Sequence, residues 1–151
     1  MDSTHRCEDF DCGEPVLNLW LKRQALPNEA SGASRTFVVC AERRIIGFYA
    51  LATGSVRRED APGRIRRRMP EPIPVMVLGR LAVDRDWQGQ GVGQGLLKDA
   101  VLRTLTVSKQ AGVRALIVHA LSVEAKDFYQ RHGFLESPMN QMTLMLGLAG
   151  W

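Results

Sequence analysis

At 151 residues, with 45% hydrophobic and 24% charged side chains, the chain can bury one sizeable core and is read as a single domain over residues 1–151. No apolar run approaches the length of a membrane span, and Met1-Asp2-Ser3-Thr4-His5-Arg6 lacks the regions of a signal peptide, so no membrane contact and a cytoplasmic location are expected. The formal charge of +4 permits an anionic partner. The three cysteines, Cys7, Cys12 and Cys40, have neither C-x-x-C spacing nor histidines at ligand spacing, which predicts reduced thiols and no metal.

An irregular segment around Phe10-Asp11-Cys12-Gly13 leads to Pro15, suited to a first helical residue, with Val16, Leu17, Trp20, Leu21 and Gln24 following at helical spacing. This helix is expected to end before Pro27, and Asn28 to Ser34 reads as a small polar loop. Thr36 to Ala41 is a strand, Glu42-Arg43-Arg44 a hairpin turn, and Ile45 to Gly54 the antiparallel partner. Arg57 to Pro74 then carries six arginines and several prolines, which argue against a buried continuous strand. It is either a solvated loop or a phosphate-binding patch built from Arg64, Arg66, Arg67 and Arg68, because planar guanidinium groups chelate phosphate.

Pro74 to Asp84 is the central strand. Leu96, Leu97, Ala100, Val101, Thr104, Leu105 and Ser108 form one helix face, closing at Ala111-Gly112 as a C-cap. Arg114 to Leu121 reads as a buried strand, Ser122 as the cap of a short helix running to Arg131 or His132, and Gln141 to Leu148 as a last strand. The order βα, ββ, β-loop-α, βα, β describes an α/β sandwich around a mixed sheet.

The stretch that organises the chain is Leu78 to Val101, LGRLAVDRDWQGQGVGQGLLKDAV. A strand entering Gln88-Gly89-Gln90-Gly91-Val92-Gly93 and opening directly into a helix leaves several backbone N–H groups unpaired at the positive end of the helix dipole. That is an anion site, most naturally for a pyrophosphate. A P-loop fails because Gly93 is followed by Gln94-Gly95 rather than Lys and Ser or Thr. The dinucleotide fingerprint fits poorly, with Leu96 where its third glycine belongs.

Gln88-x-x-Gly91-x-Gly93 after Arg80-Leu81-Ala82-Val83-Asp84 resembles the acetyl-CoA loop of the GNAT family of N-acetyltransferases. Glu124 to Phe134 resembles the same family's A-x-x-F/L-Y-x-x-x-G-F signature. The resemblance implies the GNAT fold, a mixed and mostly antiparallel sheet flanked by helices, with acetyl-CoA as cosubstrate. It implies pantetheine on the main chain of Leu81, Ala82 and Val83, where the central strand splays from its neighbour. The pyrophosphate would lie over Gln88, Gly89, Gln90, Gly91, Val92, Gly93 and Gln94, with Ala125 and Phe128 bordering the cofactor's far end. Tyr129 carries over as the general acid that protonates the CoA thiolate.

A general base is harder to find. His119 reads as a hydrogen-bonded core residue, His5 and His132 as superficial, and Asp84 and Asp86 as turn formers. A lysine, with a pKa of about 10.4, must lose a proton before attack, whereas an α-amine at about 7.7 to 8.0 is substantially neutral. A site without a strong base suits an α-amine.

His5-x4-Phe10-x-Cys12-Gly13, Leu17-x-x-Trp20-Leu21, Ser34 to Val39, Gly47 to Leu51, and Leu81 to Ala100 together resemble the toxin branch of the family, the TacT- and AtaT-like enzymes, over nearly the whole chain. That resemblance implies acetylation of the α-amine of aminoacyl-tRNA, a block of translation, neutralisation by a ribbon-helix-helix antitoxin, and a homodimer. The N-terminus departs from the pattern, since the first residues of the usual leading strand are lacking; either the start is late or that edge is shorter. Two alternatives stay open: an acetyltransferase of a small-molecule or protein amine, and a module that binds CoA without chemistry.

Overall fold

The computed structural model describes residues 1–149, which form two compact units, one of residues 1–52 with 79–100 and the other of residues 53–78 with 101–149. A six-stranded sheet has the order β1-β2-β3-β4-β6-β5, with β1 at Arg35–Ala41, β2 at Arg44–Val56, β3 at Ile73–Val83, β4 at Ala115–His119, β5 at Leu135–Ser137 and β6 at Asn140–Gly147. β1 and β2 pair antiparallel, as do β4 and β6 and β5 and β6, whereas β3 and β4 are parallel. The mixed, mostly antiparallel sheet flanked by helices is the expected architecture.

In the first unit, α1 (Pro15–Arg23) starts with Pro15 in its first turn, where a missing N–H breaks no helical bond. Leu17, Trp20 and Leu21 face inward, but Val16 is 68% exposed, so the apolar stripe is narrower than the spacing suggested. Trp20 stacks on Phe48 at 6.0 Å and Phe10 meets Phe48 edge-on at 5.4 Å, within a core that includes Leu21, Ala25, Ile45 and Ala82. The loop expected at Asn28 to Ser34 is mostly helix: α2 runs Ala25–Ser31. Pro27 lies in its first turn, so it starts a helix where it was expected to end one. Gly32, left-handed at φ 79°, closes it.

No leading strand precedes α1 among the described residues. Arg6 forms a single parallel bridge to Arg44, its amide donating to the Arg43 oxygen and its oxygen accepting from the Ile45 amide, each at 2.8 Å. The helix after the glycine loop, α4 (Val92–Ser108), begins within that loop. Leu96, Leu97, Ala100, Val101 and Thr104 are buried as its spacing predicts, but Gly112 does not adopt the left-handed conformation of a C-cap.

In the second unit, the arginine-rich stretch holds a 3₁₀ turn at Arg58–Asp60 and the short α3 at Gly63–Arg66. Ile65 of α3 is 1% exposed and packs with Ile73, Val75, Ala115, Ile117 and Met145. The Arg114 Nε donates to the Ile65 oxygen at 3.0 Å, and Arg114 Nη2 to the Arg64 oxygen at 3.2 Å. These bonds satisfy carbonyls that so short a helix leaves open. β5 was missing from the sequence reading, since three residues are too few to carry a period.

The helix α5 (Val123–Arg131) starts where expected: the Ser122 Oγ accepts from the Ala125 amide at 3.1 Å. Gly133, at φ 93°, follows it, and Phe134 is 3% exposed behind. Ser122→Ala should lower folding stability by about 1 kcal/mol, the usual worth of an N-cap hydroxyl, read as a shift of the urea midpoint at constant m.

Candidate functional site

The first unit contains the glycine loop. β3 enters it at Asp84, whose amide donates to the Ile46 oxygen at 2.8 Å and whose carboxylate is 2% exposed. That carboxylate accepts from the amides of Asp86 (3.0 Å) and Asp11 (3.2 Å) and from Arg44 (3.4 Å). It therefore starts the 3₁₀ turn Arg85–Trp87 and ties it to two other segments, which is the turn-forming role expected of it.

Gln88 braces the loop from below: its Nε2 donates to the Val83 oxygen at 2.9 Å and the Cys12 oxygen at 3.0 Å. Of the Gln88 to Gln94 set, this side chain and that of Gln90, whose Nε2 donates to the Asp86 oxygen at 3.2 Å, are engaged within the protein. Gly89 and Gly91 have φ of 78° and 84°, a region that side chains strain to enter. A Cβ on either would meet nothing within 4 Å, so conformation and open approach, not crowding, require glycine.

Among the described residues, no backbone amide from Gly89 to Gln94 donates to protein; the first to return to the helix is Gly95, to the Gly91 oxygen at 3.0 Å. Free amides at the start of a 17-residue helix have the geometry and the dipole to hold an anion. The Tyr49 hydroxyl donates to Asp99 and so ties β2 to α4 about two turns inside it.

The strand leading to the loop has a break in its pairing. The parallel register of β3 with β4 runs from Val75↔Ala115 to Leu78↔Val118, and β3 continues through Gly79 to Val83 beyond it. Leu81, Ala82 and Val83 fall in that continuation, and Gly79, the one residue that could mark the break, stands at its start.

Tyr129 and its neighbours belong to the second unit. Tyr129 is 7% exposed, with Phe128 at 5.3 Å and Phe134 at 5.4 Å between ring centroids. Burial pushes its phenol up to about 12. Its hydroxyl has no hydrogen-bond partner among the described residues, yet it is not sealed from solvent. Such a group keeps its proton at neutral pH and has a donor to offer. Phe128 and Ala125 are half-buried on the same helix.

Arg64, Arg66, Arg67 and Arg68 are all exposed, and no carboxylate pairs with them among the described residues. Arg64 borders a cavity of about 290 Å³ with Arg114, Leu135 and Leu146. His119 is exposed at the end of β4 instead of in the core, although it does make the expected hydrogen bond, its Nδ1 lying 3.0 Å from the Thr143 Oγ1. His132 is half-buried against Phe128, with its Nδ1 2.8 Å from the Phe128 oxygen. Cys7, Cys12 and Cys40 are free, and no cluster of three metal-binding side chains occurs among the described residues.

One residue escaped the sequence reading. The Arg80 guanidinium lies 4.6 Å from the Trp20 ring centroid on the face of β3 turned to α1. Its signal was available, as the only charged residue in the apolar run from Ile73 to Val83.

Comparison with known proteins agrees with this geometry. Residues 32–136 match the family described as Acetyltransferase (GNAT) domain. The chain is 51% identical over 137 residues to a Mycobacterium tuberculosis protein named tRNA-acetylating toxin, covering 91% of this chain and 82% of that one. It superposes on AtaT complexed with acetyl-methionyl-tRNAfMet with a TM-score of 0.90 at 31% identity, covering 97% of this chain and 89% of that chain. A mutant AtaT toxin bound to the C-terminus of the antitoxin AtaR and acetyl-CoA matches with a TM-score of 0.82 at 30% identity, covering 97% and 87%. With an amide-lined loop opening α4, a buried phenol on α5 and a family match across most of its length, the chain belongs to the GNAT family of acetyltransferases.

Proposed function

We propose that the chain transfers the acetyl group of acetyl-CoA to the α-amine of the amino acid on charged tRNA and thereby blocks translation, as the toxin of a toxin–antitoxin pair. The observation that carries the proposal is the loop of free amides from Gly89 to Gln94 in a chain 51% identical to a protein named for tRNA acetylation. The loop takes the pyrophosphate of acetyl-CoA, and the main chain of Leu81, Ala82 and Val83 takes its pantetheine. Ala125 and Phe128 border the cofactor, and Tyr129 is the general acid.

In the reaction the neutral amine attacks the thioester carbonyl, and the tetrahedral intermediate collapses with cleavage of the C–S bond. The departing sulfur takes its proton from Tyr129, and the new amide loses its extra proton to water. The high pKa of Tyr129 suits a donor that must be loaded before the leaving group forms. A substrate amine already neutral at cellular pH explains why no carboxylate base is required. Arg64, Arg66, Arg67 and Arg68 hold the phosphate backbone of the tRNA. The protein works in the cytoplasm as a homodimer and is neutralised by a ribbon-helix-helix antitoxin; the AtaT–AtaR pairing supports an antitoxin of some kind. No described helix is long and apolar enough to cross a membrane.

The direct test is transfer of labelled acetyl groups from acetyl-CoA to total charged tRNA, with deacylated tRNA and free amino acids as controls. Label is expected on charged tRNA alone; label on small amines instead would replace this reading with that of a small-molecule acetyltransferase.

Tyr129→Phe should lower turnover by about 10² to 10⁴, the range for a lost general acid, with binding of acetyl-CoA retained. For the wild type, rate should rise with pH through the amine's titration, which the neighbouring ester places below the about 7.7 to 8.0 of a free α-amine. The raised phenol pKa means the acid form is present at neutral pH and is lost only as pH rises through about 12. A fall in rate between pH 8 and about 10, the ordinary range of tyrosine, would therefore count against Tyr129.

Replacing Arg64, Arg66, Arg67 and Arg68 with Gln should raise the KM for charged tRNA by about tenfold or more and flatten its salt dependence, because each lost phosphate contact removes up to about 0.9 from the log–log slope. An unchanged slope would remove them from the substrate site.

A further inference from the structure

We propose that Arg80, placed over the ring of Trp20, is a specificity element for the acceptor: its guanidinium binds the phosphodiester next to the charged 3′-terminal nucleotide. The proposal rests on the tRNA reading above and adds to it a residue on β3.

Four arginines are half-buried among the described residues: Arg44, Arg58, Arg80 and Arg114. Arg44 pairs with Asp84, Arg58 donates to the Arg66 and Met69 oxygens, and Arg114 donates to the Arg64 and Ile65 oxygens. Arg80 alone has neither carboxylate nor carbonyl, and its one contact of note is the ring of Trp20. Its nitrogens are not sealed from solvent, since Arg44 Nε is the only arginine nitrogen buried without a partner among the described residues. Desolvation lowers its pKa with no opposing charge to offset the penalty. A guanidinium stripped of part of its hydration, with five donors uncommitted and its Cζ 4.6 Å from an aromatic ring centroid, is arranged for an anion that arrives from outside.

The position along β3 says which anion. With the pyrophosphate over Gln88 to Gln94 and pantetheine running back along Val83, Ala82 and Leu81, the thioester falls at the start of the unpaired stretch, beside Arg80. Side chains alternate along a strand, so Arg80 and Ala82 share a face. Ala82 packs in the core with Trp20 and Phe48, so that face is the α1 side. An acceptor amine that reaches the thioester brings its own ester-linked nucleotide, and the nearest charge on that substrate is the adjacent phosphodiester. Trp20, itself stacked on Phe48 at 6.0 Å, gives the guanidinium a well-packed aromatic neighbour.

The experiment uses the full-length chain and Arg80→Gln and Arg80→Lys variants, checked for equal thermal midpoints. Steady-state transfer is measured with charged tRNA at several salt concentrations, and binding of the trinucleotide CCA is followed by Trp20 fluorescence, with Trp20→Phe as the control for the other tryptophans. Arg80→Gln is expected to raise the KM for charged tRNA about tenfold, with the KM for acetyl-CoA within about twofold, and to lower the log–log salt slope by about 0.7, the value for one single-strand phosphate. It should weaken CCA binding by at least about fivefold, and Arg80→Lys should restore only part of each loss, since lysine keeps the charge without the forked set of donors. A purely structural role predicts a fall in kcat or thermal midpoint with an unchanged salt slope, and that result would overturn the proposal, as would equal CCA affinity in wild type and Arg80→Gln. If wild type failed to acetylate charged tRNA while CCA binding still depended on Arg80, the functional reading would fall and the phosphate subsite would stand.

Discussion

The loop-bearing unit depends on one buried carboxylate. A carboxyl group on a residue only 2% exposed is destabilising unless its oxygens are met by donors, and Asp84 is met by three: the amides of Asp86 and Asp11 and the guanidinium of Arg44. Each donor comes from a different stretch of chain, so satisfying the carboxylate also fixes the irregular N-terminal segment, the first residue of β2 and the turn after β3 in one arrangement. The glycine loop starts from that anchor. Its free amides would otherwise be a floppy set of dipoles; held by Asp84 below and by Gln88 on the Val83 and Cys12 oxygens, they present a fixed positive field.

A fixed field and a reluctant acid suit acyl transfer to an amine that needs no help losing its proton. The phenol of Tyr129 keeps its proton because its burial beside two aromatic neighbours on and behind α5, Phe128 and Phe134, leaves little water to stabilise a phenolate. The exposed arginines around α3 and the half-buried Arg80 differ in kind. The former are solvated, unpaired charges suited to attracting a polyanion over distance; the latter is a single desolvated group suited to fixing one phosphate.

Much of this was legible before any coordinates. The glycine loop was, because Gly89 and Gly91 occupy positions where φ excludes other residues, and a strand-to-helix turn has few chemical uses. Ser122, Gly133 and the Tyr129 helix were, because caps act within a few residues of the atoms they satisfy. The errors came where local signals have two meanings. Pro27 can follow a helix or start one, and which occurs depended on Ala25 burying itself in the Phe48 core. Gly112 looked like a cap, and β4 looked uniformly buried, yet its last residue, His119, is exposed.

The sequence by itself determined the glycine-rich turn, the family and most of the order of elements, since these rest on backbone conformation and periodicity over short windows. Which charges are compensated was decided only by tertiary structure. Asp84, Arg44 and Arg114 are paired by residues 40 or more positions away, and Arg80 is left without a charge partner on a tryptophan 60 positions before it. Electrostatic compensation is a property of distance and burial in space, and neither is written in the spacing of residues along a chain.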